Sequence, residues 1–132
     1  MTAEKNSQLG SMVKLPESPD EAVIDKIANP HPGSVYLVRF TAPEFTTLCP
    51  VTGQPDFAHI VMDYVPDGHL VESKSLKLYL FAYRNHNTFH EESVNKILDD
   101  IITACAPREC VVEGDFNARG GIGIKVSASG PD

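Results

Sequence analysis

Cys49 and Asp56 are the residues of this sequence whose types and spacing could support covalent chemistry. Cys49 lies in a segment rich in proline, glycine and threonine, which predicts a rigid turn between strands and a thiol that is at least partly exposed. A thiol must lose its proton before it attacks an electrophile. Asp56 could return near Cys49 across the turn and donate or shuttle a proton to a substrate. The alternative is a structural cysteine in a loop beside an aspartate in an Asx-turn.

A second group of polar side chains lies at or before the start of a predicted long helix. His86 and His90 have the i, i+4 spacing that can place two imidazoles on one helical face to bind zinc. The sequence has no HExxH motif and the helix is predicted to begin after His86, so a metal site is the minor interpretation. Glu91 has capping-box spacing with Thr88. Alternatively, the Glu91 carboxylate could accept two parallel hydrogen bonds from an amidine-like edge of a ligand.

Cationic side chains recur in two places. Lys74 and Lys77 fall on one face of a predicted helix, near its N-terminus, where they could bind a phosphate group. The alternative is an amphipathic helix whose charged face is solvated. Arg119 precedes two glycines in a predicted turn, where the backbone can approach a ligand closely. The chain has neither GxGxxG after a strand nor a P-loop, so generic motifs do not indicate a dinucleotide.

Hydrophobic periodicity predicts the elements that must position these residues. Segment 71–84 fits both a strand and a helix, and we favour the helix, whereas segment 88–105 has a clear apolar stripe. The order of elements predicts an α+β fold, with an antiparallel sheet and helices on one face. We expect a short helix at Asp20–Ala28, strands at Val35–Thr41, Phe57–Val65, Cys110–Phe116 and Ile122–Val126, helices at Val71–Arg84 and Thr88–Cys105, and turns at Ala42–Pro55 and Asn117–Gly121.

Length and charge limit the classes of protein to consider. The chain has 132 residues, three cysteines and a formal net charge of −7. We expect a loosely held N-terminal arm at 1–33 and a single domain at 34–132. The acidic balance argues against a nucleic-acid coat, and no apolar run is long enough to span a bilayer. The odd cysteine count and the absence of a secretory signal predict a reduced protein of the cytoplasm.

Four ordered blocks of the sequence, at 48–57, 72–79, 89–91 and 114–121, resemble the NADPH-dependent nitrile reductases of queuosine biosynthesis. These are the 7-cyano-7-deazaguanine reductases, or QueF family, in their short single-domain form. The resemblance extends from about Val35 to Val126. It implies the tunnelling fold, in which a four-stranded antiparallel sheet and two helices follow the order ββααββ. It also implies that sheets join between subunits into a barrel, that ligands lie between subunits, and that two pentameric rings stack into a homodecamer.

The resemblance also implies a reaction and a role for each candidate residue. The reaction is the reduction of a nitrile to a primary amine, with four electrons supplied by two molecules of NADPH. Cys49 would add to the nitrile carbon to form a thioimide, Asp56 would protonate the nitrile nitrogen, and His90 would lie beside the reacting group. The implied substrate-binding residues are Glu91, Glu72, Ser73 and His90, and the implied NADPH-binding residues are Lys74, Lys77 and Arg119, with no metal ligand.

Two other functions remain open at this stage. One is a zinc-dependent enzyme of the same fold, such as a cyclohydrolase or a pterin synthase, which would need three protein ligands for its metal. The spacing of the histidines and cysteines supports such a set poorly. The other is a binding module that has kept the pocket and lost the reaction, against which the presence of both Cys49 and Asp56 argues.

Overall fold

Four long antiparallel strands and two helices form the body of the structure, a computed structural model that describes residues 15–132. The strand order in the main sheet is β2-β3-β5-β6, and a second, two-stranded sheet pairs β1 with β4. Neither helix in this part of the chain is long and apolar enough to cross a membrane. The elements are a 3₁₀ turn at Pro19–Glu21, then β1 (Lys26–Ala28), β2 (Val38–Leu48), β3 (Pro55–Val65), β4 (His69–Val71), α1 (Ser73–Phe81), α2 (His90–Cys105), β5 (Glu109–Arg119) and β6 (Ile122–Gly130).

The core lies between one face of the main sheet and the two helices. Side chains alternate across a strand, and the even-numbered residues of β3 from Asp56 to Tyr64 are buried. The apolar stripe of α2 packs on this face, with Val94 and Ile97 fully buried. Both helices and the order ββααββ of the main elements are therefore confirmed. The α2 stripe consists of Val94, Ile97, Leu98, Ile101 and Cys105.

The prediction for the first long strand and the turn after it is wrong in its boundaries. The strand begins at Val38 and continues to Leu48, through a region that we expected to be a turn. Beyond the bulge, alternation resumes with Phe45 and Thr47 facing the core, so burial extends the strand. A register shift between Ala42 and Phe45 accommodates Pro43, which lacks an amide hydrogen and is tolerated at a bulge of an edge strand.

The helix expected at Asp20–Ala28 is also wrong. The segment contains only a 3₁₀ turn and the strand β1, which pairs antiparallel with β4. Nine residues are too few to form a stable helix without strong packing, and here the backbone of Asp25 instead bonds with Ser75 and Glu72. Of the arm expected at 1–33, residues 1–14 lie outside the described part of the chain.

The link between β5 and β6 is shorter than expected. The strand β5 continues to Arg119, with a register shift after Phe116, and only Gly120 and Gly121 form the turn. Both glycines have positive φ, at 60° and 82°, which is the geometry of a two-residue type I′ hairpin turn. This short turn holds Arg119 at the end of β5, beside the loop that carries Cys49.

Candidate functional site

A tight loop at the end of β2 holds Cys49. The Cys49 amide donates to the carbonyl of Gln54 at 2.8 Å, and the Gly53 amide donates to the carbonyl of Cys49 at 2.8 Å. Gly53 has a φ of 73°, which favours glycine at this position. The side-chain Nδ2 of Asn87 also donates to the Cys49 carbonyl, at 3.3 Å. The thiol-bearing residue is therefore fixed by its own backbone, and its side chain is partly exposed, as the sequence predicts.

Local hydrogen bonding favours the thiolate form of Cys49. The pKa of this thiol lies below its ordinary value because the Thr52 side chain, followed by the backbone amides of Thr52 and Val51, hydrogen-bonds to the thiolate. These effects outweigh slight desolvation and the negative charge of Asp56. Burial instead raises the pKa of Cys105 to about 11 and that of Cys110 to about 12. Cys49 is thus the thiol with nucleophilic character.

Asp56 faces the same cavity as Cys49 and is held by two side chains. Its side chain is 8% exposed, Oδ1 accepts from Nη1 of Arg119, and Oδ2 lies 3.3 Å from Nε2 of His90. Arg119 also donates to the carbonyl of Pro55 and to Oε1 of Gln54. The Asp56 carboxyl group is thus held on one oxygen by a guanidinium and on the other by an imidazole.

An aromatic ring beneath His90 sets its orientation. The Phe116 ring stacks on the imidazole, with centroids 3.8 Å apart and planes 11° apart. Phe116 is 2% exposed and lies on the inner face of β5. Gly114 precedes it on the same face, where a Cβ would lie 2.9 Å from the Phe116 ring. The absence of a side chain at Gly114 therefore lets Phe116 occupy the position that supports His90.

Glu91 lies in the first turn of α2 and lines the cavity of Cys49. The capping box expected from Thr88 and Glu91 is wrong, because the N-cap residue is Phe89, which makes no side-chain cap. The Thr88 hydroxyl instead donates to the Phe89 carbonyl at 3.2 Å. The helix starts one residue later than that pattern requires, so the Glu91 carboxylate is not used as a cap. It is exposed at the rim of a cavity of about 280 Å³.

The two histidines with zinc-ligand spacing do not meet. His86 makes an edge contact with the ring of Tyr83, whereas His90 binds Asp56. Within residues 15–132, no three His, Cys, Asp or Glu side chains are grouped as metal ligands. In this part of the chain, the geometry does not assemble the donor set that a zinc-dependent enzyme of this fold requires.

The residues that the resemblance assigns to NADPH binding lie in two separate places in one subunit. Lys77 and Ser73 line a larger cavity of about 660 Å³ between α1 and β2, at which Arg84 also lies. Arg119 lines the smaller cavity with Cys49. Lys74 is exposed on α1, next to these residues in sequence. One chain therefore does not bring Arg119 together with the two lysines.

Glu72, a candidate for substrate binding, has a structural partner in this chain. Its carboxylate caps α1 by accepting from the amides of Lys74 and Ser75, each at 2.8 Å. These bonds lower the pKa of Glu72. Neither Glu72 nor Ser73 lines the cavity of Cys49 within one subunit.

Sequence reasoning did not find three residues that shape this site. Thr52 lowers the pKa of Cys49, Phe116 supports His90, and Gln54 binds Arg119. Phe116 could have been found from alternation, because Cys110 and Gly114 of the same strand also face inward. The roles of Thr52 and Gln54 depend on the path of the loop, which no periodicity predicts.

The fold and the site together define an α+β protein whose partly exposed, activated cysteine and buried aspartate face one small cavity. The chain belongs to the family of QueF-like proteins, because the family model matches residues 55–132, more than half of the chain. A relative from Sinorhizobium fredii, named NADPH-dependent 7-cyano-7-deazaguanine reductase, is 55% identical over 91% of this chain and 78% of its own. Relatives of that name from Caulobacter vibrioides and Nitrobacter hamburgensis are 52% and 57% identical, over 96% and 90% of this chain and 83% and 75% of their own.

A solved structure has the same fold. The crystal structure of the archaeosine synthase QueF-Like in the apo form superposes with a TM-score of 0.68 at 24% sequence identity. The aligned region covers 73% of this chain and 94% of the chain in the crystal structure. The similarity confirms the predicted tunnelling fold of the subunit.

Proposed function

We propose that this chain is an NADPH-dependent reductase that converts the nitrile of 7-cyano-7-deazaguanine to a primary amine. The observation that carries the proposal is the shared cavity, where the thiol of Cys49 and the carboxylate of Asp56 face the same space. Curated relatives at 52–57% identity have this activity in their names. The zinc-dependent alternative has no comparable support among the described residues.

Cys49 supplies the nucleophile in this reaction. Its thiolate adds to the nitrile carbon and forms a thioimide, which attaches the substrate covalently to the enzyme. Hydrogen bonds from Thr52 lower the pKa of Cys49 and increase the thiolate fraction near neutral pH. A thiolate also leaves readily from carbon, so the same atom can later release the reduced group.

Asp56 supplies the proton that the nitrile nitrogen gains as the thioimide forms. Arg119 occupies one oxygen of Asp56, so this contact separates before the carboxyl group takes up the proton that the Cys49 thiol releases and passes it to the nitrogen. Arg119 is 41% exposed in its side chain and can turn towards solvent or towards an anionic group of a ligand. His90, stacked on Phe116, keeps the other carboxylate oxygen in place during this change.

Glu91 binds the heterocycle in this proposal. A deazaguanine edge offers a ring N–H beside an exocyclic amine, and a carboxylate accepts both in parallel. Glu91 is exposed at the rim of the cavity that contains Cys49. Glu72 and Ser73 lie outside that cavity in one subunit, so their proposed contact with substrate requires that a second subunit contribute them. Closure by a second subunit also excludes water, which would hydrolyse the thioimide.

The two lysines of α1 fit the negative charge of the phosphates of NADPH. Lys74 and Lys77 present two ammonium groups near the start of the helix, where the helix dipole also favours an anion. The adjoining cavity is mostly apolar and of the size of small-ligand pockets, with Arg84 at its edge. We propose that Lys74, Lys77 and Arg119 hold the cofactor, with Arg119 supplied across a subunit boundary. When bound, two molecules of NADPH in turn would each supply one hydride to the former nitrile carbon, the first while it is attached to Cys49 and the second after the thiolate has left.

We further propose that residues 34–132 form the catalytic domain of a cytoplasmic homo-oligomer of two stacked pentameric rings, without nucleic acid or membrane as a direct partner. In the described part of the chain, β2 and β6 each have one edge without a neighbouring strand, and such edges can pair with another copy. Light scattering of the purified protein measures the mass of this assembly. A monomer at working concentration would contradict this proposal, including the shared sites.

The decisive experiment measures the loss of NADPH absorbance when the protein is mixed with 7-cyano-7-deazaguanine, together with the amine formed. Two molecules of NADPH consumed per amine are expected for the wild type, and none for Cys49→Ala. Intact-protein mass should show the substrate on Cys49 in the wild type and not in the variant. Turnover that persists in Cys49→Ala would contradict the mechanism, and a requirement for stoichiometric zinc would contradict the reaction class.

A further inference from the structure

Thr47 is a fully buried residue whose hydroxyl has no partner. It lies on the inner face of β2 with a relative exposure of 0%. Among residues 15–132, its Oγ1 makes no hydrogen bond, and it is the one buried side-chain oxygen or nitrogen in that part of the chain for which this is so. Buried hydroxyl groups are normally hydrogen-bonded, because burial without a partner is costly. An unpaired buried hydroxyl of this kind calls for a specific explanation, and a role in catalysis is one of those known for such groups.

The residue directly opposite Thr47 in the sheet is Asp56. The two are partners in the antiparallel register of β2 and β3, and both face the helices. Opposite residues in such a pair have Cβ atoms about 4.5–5.5 Å apart, so a threonine hydroxyl can reach a neighbouring carboxylate. In the present arrangement the two carboxylate oxygens instead contact Arg119 and His90. A hydroxyl without a partner therefore lies beside a carboxyl group whose partners must change in the proposed reaction.

We propose that Thr47 is a positioning residue that donates a hydrogen bond to Asp56 when Arg119 has left it, an inference that rests on the proposed function. In the step that forms the thioimide, the S–C bond of Cys49 forms as one π bond of the nitrile breaks. The proton of Asp56 moves to the nitrogen and leaves a carboxylate. Thr47 keeps its own proton and stabilises this carboxylate by hydrogen bonding.

The chain offers a matched set of variants for this inference. Thr47→Val removes the hydroxyl at nearly constant shape, and Thr47→Ser keeps the hydroxyl. Thr103→Val is the control, because Thr103 is exposed on α2 and lines neither the cavity of Cys49 nor the larger cavity beside α1. If Thr47→Val does not fold, Thr47→Ala takes its place.

Two rates and one equilibrium are measured for each variant. The rate of adduct formation on Cys49 is followed by intact-protein mass, with the nitrile substrate and without NADPH, and kcat and KM are followed with NADPH. Loss of a hydrogen bond to a charged group should slow adduct formation and kcat by about 10- to 100-fold in Thr47→Val, with KM nearly unchanged. Urea unfolding should show equal or greater stability, because the unpaired hydroxyl is gone. Thr47→Ser and Thr103→Val should behave as the wild type.

Each other result has a defined meaning. Adduct formation within twofold of the wild type in a folded Thr47→Val would overturn the inference alone. A parallel loss of stability and rate in Thr47→Val and Thr47→Ser would assign Thr47 to packing and overturn it as well. A wild type that forms no adduct and consumes no NADPH would overturn the proposed function, and this inference with it.

Discussion

Substitution of Gly114 by alanine should destabilise the protein and disturb the site through the packing beneath it. A Cβ at this position would lie 2.8 Å from Cγ2 of Val94, 2.9 Å from Cε1 of Phe116 and 3.1 Å from Cδ1 of Ile60. Carbon atoms pack best at about 3.5–4.0 Å, so all three neighbours must move. Overpacking of this kind costs about 1–3 kcal/mol. Replacing a glycine in a strand removes an entropic cost of about 0.5–1 kcal/mol, which leaves a net loss of up to about 2.5 kcal/mol, centred on about 1 kcal/mol.

Urea unfolding at fixed protein concentration measures this loss, and Gly123→Ala is the matched control. A Cβ at Gly123 would have no atom within 4 Å, and its φ does not lie in the left-handed region. Because the Gly114 variant must displace the Phe116 ring, on which His90 stacks, it should also lower kcat, whereas the control should not. If both variants had the stability and activity of the wild type, the reasoning from these contacts would be refuted.

Three further predictions concern other parts of the site. Thr52→Val should raise the pKa of Cys49 and move the midpoint of its alkylation by iodoacetamide to higher pH, and an unchanged pH profile would contradict the assigned cause. Glu72→Ala should lower the Tm at neutral pH. The difference in Tm from the wild type should narrow as the pH falls through the lowered pKa of Glu72, because a carboxylate with a depressed pKa stabilises the protein only while it is ionised. A difference in Tm that does not change with pH would count against the capping role. Lys77→Ala should raise the KM for NADPH with little change in kcat, while Lys125→Ala on the outer sheet face should change neither; equal effects would remove Lys77 from the cofactor site.

The periodic spacing of hydrophobic residues was sufficient to predict the two helices and the presence of the strands of the main sheet. The helix assignment of segment 71–84 is confirmed for Ser73–Phe81, where Leu76 and Tyr79 are buried, whereas Val71 belongs to β4 and residues 82–84 form a turn. The same reasoning failed for the segment that became β1, because its conformation is determined by β4, a partner too short to be recognised from its own sequence. Local pattern cannot predict an element whose stability comes from a distant strand.

The candidate site was predictable as a set of residues but not as an arrangement. The turn chemistry around Cys49 correctly indicated a partly exposed thiol, and its shared cavity with Asp56 follows from the return of the chain through β3. The contact of Arg119 with Asp56 could not be predicted, because it depends on a register shift near the end of β5. The spacing of Thr88 and Glu91 also suggested that Glu91 caps α2. The helix begins one residue later than that spacing requires, so Glu91 does not have this role.

The loop before α2 is attached to the end of β2 by main-chain bonds. The Leu48 amide donates to the carbonyl of His86, and the Thr88 amide donates to the carbonyl of Leu48, both at 3.0 Å. Leu48 immediately precedes Cys49, and Thr88 lies three residues before Glu91. The separation between the thiol and the Glu91 carboxylate is therefore held by the backbone on both sides. If the thiol and the carboxylate bind opposite ends of one substrate, the distance between them selects substrates by length. A nitrile on a ring system longer or shorter than a fused bicyclic ring would then contact only Cys49 or only Glu91.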